Sequence, residues 1–305
     1  MRSKFNRFFA LMLAFALAFG GFAGFGKTTA ANAADSVKVY VTIADEIGLK
    51  VVKQQSVTVT DINDDGVLTY IDALYCAHEK YFKGGAAAGF AYSIGTTMDG
   101  DPLPWVTLLW GIDIGGSYGF YKNNASIASV ADGMIENGDY IDAYVYRDLE
   151  SWSDTYSNFA KRRVVAAKNK AVKLKVYYMD RDENWMETPA PLANANIRIN
   201  NKETDYVTDE NGIVKVKFDK AGSYMVTATN SYKLIVDPIC LVFVRPDIGE
   251  VITVKNINYT VTKAGKPDGK KGVVTYSAEL NPKNTKDVPK TVDFGGITYK
   301  VKKVK

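Results

Sequence analysis

The chain is poor in the residues that most often carry chemistry. Its 305 residues include one histidine, His78, and two cysteines, Cys76 and Cys240. A zinc site built of imidazoles and thiolates is poorly supplied by so few ligands. A Ser-His-Asp or Cys-His relay would have to run through His78. That residue falls on the apolar face of an expected helix, where a buried imidazole is the ordinary reading, and Cys76 points to another side of the same helix. The two cysteines are far apart and in different expected modules, so they read as free buried thiols. With no disulfide to rely on, a metal ion becomes a reasonable staple.

Long apolar runs are equally scarce. Phe8 to Phe19 is free of charge, follows Arg2, Lys4 and Arg7, and precedes Gly20, Gly21, Gly24 and Gly26 and then Ala31-Asn32-Ala33. The run is shorter than the ~20 residues of a spanning helix. With its small-x-small ending, 1–33 therefore reads as an export signal. No cysteine follows to take a lipid, and no second apolar stretch follows, so no membrane span is expected after cleavage. A large charge excess is missing too: the net +4 is too small to suggest a nucleic-acid partner. What the chain does have is tyrosine, 19 residues, and 25 glycines against 9 prolines, which suits β-rich extracellular modules better than helical bundles.

Alternation and turn signals divide the rest into modules. Residues 35–147 open with Val37, Val39, Val41 and Ile43 on one face of a strand. A second strand is expected at 56–60, then a helix near 70–82 carrying Ile71, Leu74, Tyr75, His78 and Phe82 on one face and stopped by Lys83-Gly84-Gly85. Gly84 to Gly89 lacks the Lys and Ser/Thr of a phosphate cradle and reads as a flexible loop. Further strands are expected at 105–110, 119–122 and 140–146. A polar linker, 148–158, leads to 159–245, with short strands at 172–178, 195–200, 205–208, 213–218, 223–229 and 240–244. There Asp209-Glu210-Asn211-Gly212 joins two alternating runs as a hairpin would. Such spacing argues for a β-sandwich. The last module, 251–305, holds twelve lysines, four acids and no arginine. Its strands are expected at 251–261, 272–279 and 297–304. The expected fold is thus mainly β: tandem small β domains, sandwich-like, with one short helix after a metal loop.

That loop is the strongest motif. Asp61-Ile62-Asn63-Asp64-Asp65-Gly66-Val67-Leu68-Thr69-Tyr70-Ile71-Asp72 sets side-chain oxygens at positions 1, 3, 5, 9 and 12 and glycine at the sharp turn of position 6. Calcium takes six to eight oxygens in such loops. Asp61, Asn63 and Asp65 would offer side chains, Val67 its carbonyl, Thr69 a hydroxyl directly or through water, and Asp72 would close the shell. Leu68 would pin the loop to the core. A strand, not a helix, enters the loop, and position 12 is Asp, not Glu; both features resemble the calcium half-motif of dockerins. A second start, Asp180-Arg181-Asp182-Glu183-Asn184, meets Trp185 where glycine is needed.

Module one as a whole resembles the transcobalamin C-terminal-like domain of secreted bacterial proteins. The residues that carry the resemblance are 73–79 (Ala-Leu-Tyr-Cys-Ala-His-Glu), Gly84 to Phe90, Leu109-Trp110-Gly111, the stretch from Gly115 to Asn124, and Gly138-Asp139 with the strand that follows. Module two looks like the immunoglobulin-like partner found beside it on Firmicute surface proteins, on the residues 191–199, 208–212 and 218–224. Module three resembles a lysine-rich β unit of such proteins. The resemblance implies a two-sheet β fold and allows small-ligand binding, a corrinoid included. The acids Asp99, Asp101 and Asp113 lie in glycine-rich turns, and an acid pair for glycan hydrolysis is the third reading. Of the aromatics Trp105, Trp110, Tyr118, Phe120, Tyr121, Tyr144 and Tyr146, most are expected to pack inside. The leading expectation is a non-catalytic secreted or cell-surface protein, calcium-stabilised, that binds a glycan, a wall polymer or a protein. Alternatives are a cobalamin-type carrier and a cryptic glycan-active hydrolase.

Overall fold

The computed structural model describes residues 36–303 apart from 49, 97–99, 101, 128–129, 131–132, 185, 268 and 282–287. The expected export signal lies outside the described residues, as do Asp99, Asp101 and Trp185. Among the described residues no helix is long and apolar enough to cross a membrane. The fold is mainly β, in several small sheets, and the chain divides into two compact units after Asp154.

The first unit is built on β1 (Val37–Ala44), β2 (Lys50–Val59), α1 (Tyr70–Tyr81), α2 (Ala86–Gly89), β3 (Phe90–Thr96), β4 (Pro102–Leu109), β5 (Tyr118–Lys122), β6 (Ala125–Ser126) and β7 (Tyr140–Val145). Five strands form one sheet in the order β2-β1-β7-β5-β6, with β1 and β7 parallel at its centre, while β3 and β4 form a separate antiparallel pair. The alternation of β1 buries Val39, Val41 and Ile43, and α1 adds Ile71, Leu74 and Ala77 to the same core. Strand β2 begins six residues before its expected start at Ser56. Its middle carries Lys53, Gln54 and Gln55, and the pairing with β1 is irregular there, so the period of two is hidden in the sequence. The expected flexible loop at 84–89 is corrected: it closes as the single turn α2, because the Ala86 N–H donates to Glu79 Oε2 at 2.9 Å and ties it to α1.

The expected linker, 148–158, is also ordered. The Asp148 carboxylate accepts from the N–H groups of Glu150 and Ser151 and the hydroxyls of Ser151 and Ser153. Those hydroxyls hold its pKa well below the usual carboxylate range. Asp154, fully buried, accepts from Arg147 Nε at 2.7 Å and from the N–H groups of Arg147 and Asp148. The next residues already form a strand of the second unit.

The second unit comprises β8 (Thr155–Phe159), β9 (Arg163–Ala167), β10 (Val172–Arg181), β11 (Glu187–Pro191), β12 (Asn196–Ile199), β13 (Lys202–Val207), β14 (Ile213–Val216), β15 (Gly222–Thr229), β16 (Ile235–Val236), β17 (Ile239–Arg245), β18 (Val251–Val254), β19 (Ile257–Lys263), β20 (Gly272–Tyr276), β21 (Thr291–Phe294) and β22 (Ile297–Lys303). One sheet runs β11-β10-β8-β16 with β14 also on β10; another runs β13-β12-β15-β17-β9. Leu174 and Val176 from the first and Ile197, Val226 and Val242 from the second share one core, as in a sandwich. The turn Asp209–Gly212 does not close a hairpin. Strand β13 pairs with β12 and β14 with β10, so the turn carries the chain from one sheet to the other. Asp209 Oδ1 accepts from the N–H groups of Asn211 and Ile213, and the Val176 N–H donates to the Gly212 carbonyl at 2.8 Å. The second bond draws the chain towards β10, a long-range contact that the local turn signal does not contain.

Strands β18 to β22 make a further sheet, ordered β18-β19-β20-β22-β21, with its own core. The expected strand 251–261 is interrupted at Lys255-Asn256, which turn with φ of 49° and 64°. Gly295-Gly296 turn with φ of 56° and 74° between β21 and β22. Two positive φ values in a two-residue connection are the turn that matches strand twist. Each turn is followed by the same inward pattern, Ile257-x-Tyr259-x-Val261 and Ile297-x-Tyr299-x-Val301. Strand β20 lies between, antiparallel to β19 and parallel to β22, so the two hairpins are related by an approximate twofold axis normal to the sheet. Only the second turn must be glycine. A Cβ on Gly295 would lie 2.9 Å from the Gly222 backbone, and one on Gly296 would lie 2.4 Å from the Phe243 ring. We therefore expect Gly296→Asn, which keeps the turn conformation that Asn256 already adopts, to destabilise the second unit by about 1–3 kcal/mol in urea unfolding. Asn256→Gly should change it by less than about 0.5 kcal/mol. Equal effects would mean that the second hairpin does not rest on Phe243.

Candidate functional site

The loop between β2 and α1 closes through its own carboxylates. Gly66 has φ of 81°, a conformation that side-chain-bearing residues rarely adopt. That turn lets the Gly66 N–H donate across the loop to Asp61 Oδ2 at 2.7 Å, while the Asn63 N–H donates to Asp61 Oδ1. These backbone donors, Gly66 foremost, lower the Asp61 pKa. Asp65 accepts from the Val67 N–H and from Asn63 Nδ2. At the far end, Thr69 caps α1 and Asp72 sits in its first turn. Asp72 Oδ2 accepts from Thr69 N–H and Thr69 Oγ1, both at 2.6 Å, in a capping box. Its other oxygen accepts from the Ile62 N–H at 3.1 Å, so the twelfth residue of the motif is joined to the second.

The six expected ligands therefore lie in one loop, but in unequal settings. Asn63, Asp65 and Val67 are exposed, Asp61 and Thr69 half-buried, and Asp72 only 2% exposed. Among the described residues no group of three or more His, Cys, Asp or Glu side chains stands close enough to hold a metal. The donor set is all oxygen, as calcium requires, and a carboxylate oxygen that accepts one N–H keeps a second lone pair. The residues fit the ion in kind, and Asp65 and Asp72 would have to serve it beside the donors they already accept. Ile62 and Leu68 pack on the first unit's core, which anchors the loop from beneath. Tyr70 is fully buried and its hydroxyl donates to the Asp142 carbonyl of β7, which fixes the helix start to the central strands.

His78 is a core residue. It is fully buried among Phe82, Phe90 and Trp110. Its Nδ1 lies 2.7 Å from the Leu74 carbonyl, and its Nε2 accepts the Trp110 N–H at 3.0 Å. With Nδ1 as donor and Nε2 as acceptor, neither nitrogen is free to relay a proton. Cys240 is buried and its thiol is pushed up to about 12 by that burial, the wrong direction for a nucleophile. Asp113 is exposed and accepts the Gly115 N–H of its own turn. Of the seven named aromatics only Trp105 is exposed. Asn123 and Asp139, to which the sequence pattern assigns no role, act together: Asn123 Oδ1 accepts the Tyr140 N–H, and Asn123 Nδ2 donates to Asp139 Oδ1 at 2.7 Å, locking the turn before β7.

Compared with protein-family models the chain matches none, and a comparison with curated proteins returns no match.

Burial lowers the His78 pKa to about 4, against a smaller upward pull from the Leu74 bond. The unfolded chain's imidazole titrates near 6.5. The stability that comes from keeping His78 neutral is thus present in full above pH 6.5 and is lost as pH falls from there towards 4, roughly 3 kcal/mol in all. Since the chain has one histidine, the Hε1 resonance of its imidazole reports that ring alone. That resonance should stay put from pH 8 to 5.5 in the folded protein; a midpoint near 6.5 would show the ring to be solvated.

Proposed function

We propose that the protein is an exported, non-catalytic assembly of β modules whose first unit is steadied by calcium and which binds a glycan, a wall polymer or a protein outside the cell. The observation that supports the calcium reading most is the bond across the loop from Gly66 N–H to Asp61 Oδ2, which turns the first ligand of the motif towards its centre. Asp61, Asn63, Asp65, the Val67 carbonyl, Thr69 and Asp72 would hold the ion. The ion would replace water and mutual repulsion among the acids with a hard positive centre. The likeness to a transcobalamin C-terminal-like domain followed by an immunoglobulin-like domain belongs to the same reading. So does the absence of catalysis, for which the engaged His78 and the high thiol pKa of Cys240 argue.

Calcium at ~100 times its dissociation constant would add about 2.7 kcal/mol to the unit that binds it. The parent protein should therefore melt several degrees higher in millimolar calcium than in chelator. Asp65→Ala, which spares the Gly66 bond, should abolish most of that difference. Identical melting curves with calcium and with chelator would remove the ion from the account.

A further inference from the structure

The open face of the last sheet carries a charge that the fold does not use, and the geometry points to a binding surface for a linear polyanion with repeating phosphate or carboxylate groups. The charge is segregated along the chain. Residues 251–305 have twelve lysines against four acids, a net +8, and 1–33 have four basic residues and no acid. Of the chain's total of +4, the intervening 34–250 therefore carry −8. A basic module on an acidic body is the pattern of a chain that meets an anionic partner at one place.

The sheet puts the charge on one side. Ile257, Tyr259, Val261, Val274, Tyr276, Ile297 and Tyr299 point into the core. Their neighbours Thr260, Thr275, Thr298, Lys300 and Lys302 therefore face the other way. The register places Lys263 and Lys300 on either side of Val273, and Thr260 and Lys302 on either side of Thr275. Thr291 of β21 stands opposite Lys300. Lys263, Lys300 and Lys302 are exposed, and none has an ion-pair partner among the described residues. Among the described residues of these strands the one acid on this face, Asp293, accepts the Thr298 hydroxyl at 2.5 Å. Ammonium groups interleaved with threonine hydroxyls offer charge and hydrogen bonds to a hydrated anionic chain laid across the strands.

The same face argues against two other partners. It has no aromatic side chain and the module has no arginine, so it lacks the means to stack or read bases. Among the described residues its only apolar side chains are Val251 and Val273, too few to enter a lipid surface. The inference rests on the partner-binding role proposed above and gives it a ligand class, but it is independent of the calcium loop.

Poly(glycerol phosphate) and polygalacturonate, titrated against the full chain, test the phosphate and carboxylate forms separately; binding to either supports the surface. The triple variant Lys263→Gln, Lys300→Gln, Lys302→Gln should melt like the parent. It should bind at least tenfold more weakly in ~50 mM salt, with the slope of log affinity against log salt reduced by about one per lysine removed. A control with the same charge change in the sandwich, Lys202→Gln, Lys215→Gln, Lys217→Gln, should bind like the parent. The proposal is overturned if the two triples weaken binding equally or if neither polymer binds. It is also overturned if duplex DNA or phosphatidylglycerol vesicles bind more tightly than both polymers, or if the chain self-associates through these lysines. Polymer binding should persist in chelator; its loss there would assign the ligand to the calcium loop. Binding without any calcium effect on melting would sink the metal reading alone.

Discussion

One buried carboxylate holds the first unit together. Asp72 is almost fully enclosed, a costly place for a charge unless its lone pairs find donors. It finds three, the Ile62 N–H, the Thr69 N–H and the Thr69 hydroxyl. Ile62 stands at the start of the loop and Thr69 at the helix cap, so the loop between them cannot open without stranding that charge. Tyr70 follows at once, its ring inside the core and its hydroxyl on β7. Loop closure, helix start and sheet position are thus set within four residues. The packing of Leu74, Ala77 and His78 beneath the helix depends on that start.

This explains why the loop was legible as a motif yet incompletely legible as a site. The spacing of oxygens and Gly66 can be read directly, because position 6 needs a positive φ and the chain supplies glycine there. What the spacing cannot show is competition for Asp72. The same acid satisfies a calcium-loop pattern and a capping box, and the capping donors are local and always present. A metal must recruit Asp72 without displacing them, through the lone pairs that remain.

The strands divide along the same line between local and distant causes. Those with a clean period of two and a buried face, such as β1, β10, β15 and β22, stand where alternation puts them. Strand β11, absent from the expected strands, carries Pro189 and Pro191, yet it sits at the edge of its sheet, where a missing N–H costs little. Strand β3 carries Phe90, Tyr92 and Ile94 on one face, but only Phe90 of its seven residues is buried, so alternation and burial do not coincide there. The two hairpins of the last sheet make the point most sharply. Their inward residues repeat, and both turns need positive φ, but only one rests on a neighbouring strand. Lys255-Asn256 serves the open turn, whereas Gly295-Gly296 is demanded by Gly222 and Phe243, far away in sequence. The expectation of one strand over 251–261 passes over the first turn, and the reason the two turns differ in composition is tertiary.

The lysines of that sheet pose the opposite question, a pattern with no structural cause. Adjacent strands lie about 4.8 Å apart, so Lys263 and Lys300, separated by β20, stand roughly 10 Å from each other, near one screening length at physiological salt. Their repulsion is therefore small, and the fold tolerates them. Tolerance is not need: among the described residues they pair with no acid and cover no core, and threonine, already abundant on the face, would serve the strands at least as well. A cost-free charge placed at random would be mixed in sign along the chain. Here cations gather in one module and the preceding 217 residues are acidic. A segregation that folding neither requires nor rewards points outward, to whatever the face meets in solution.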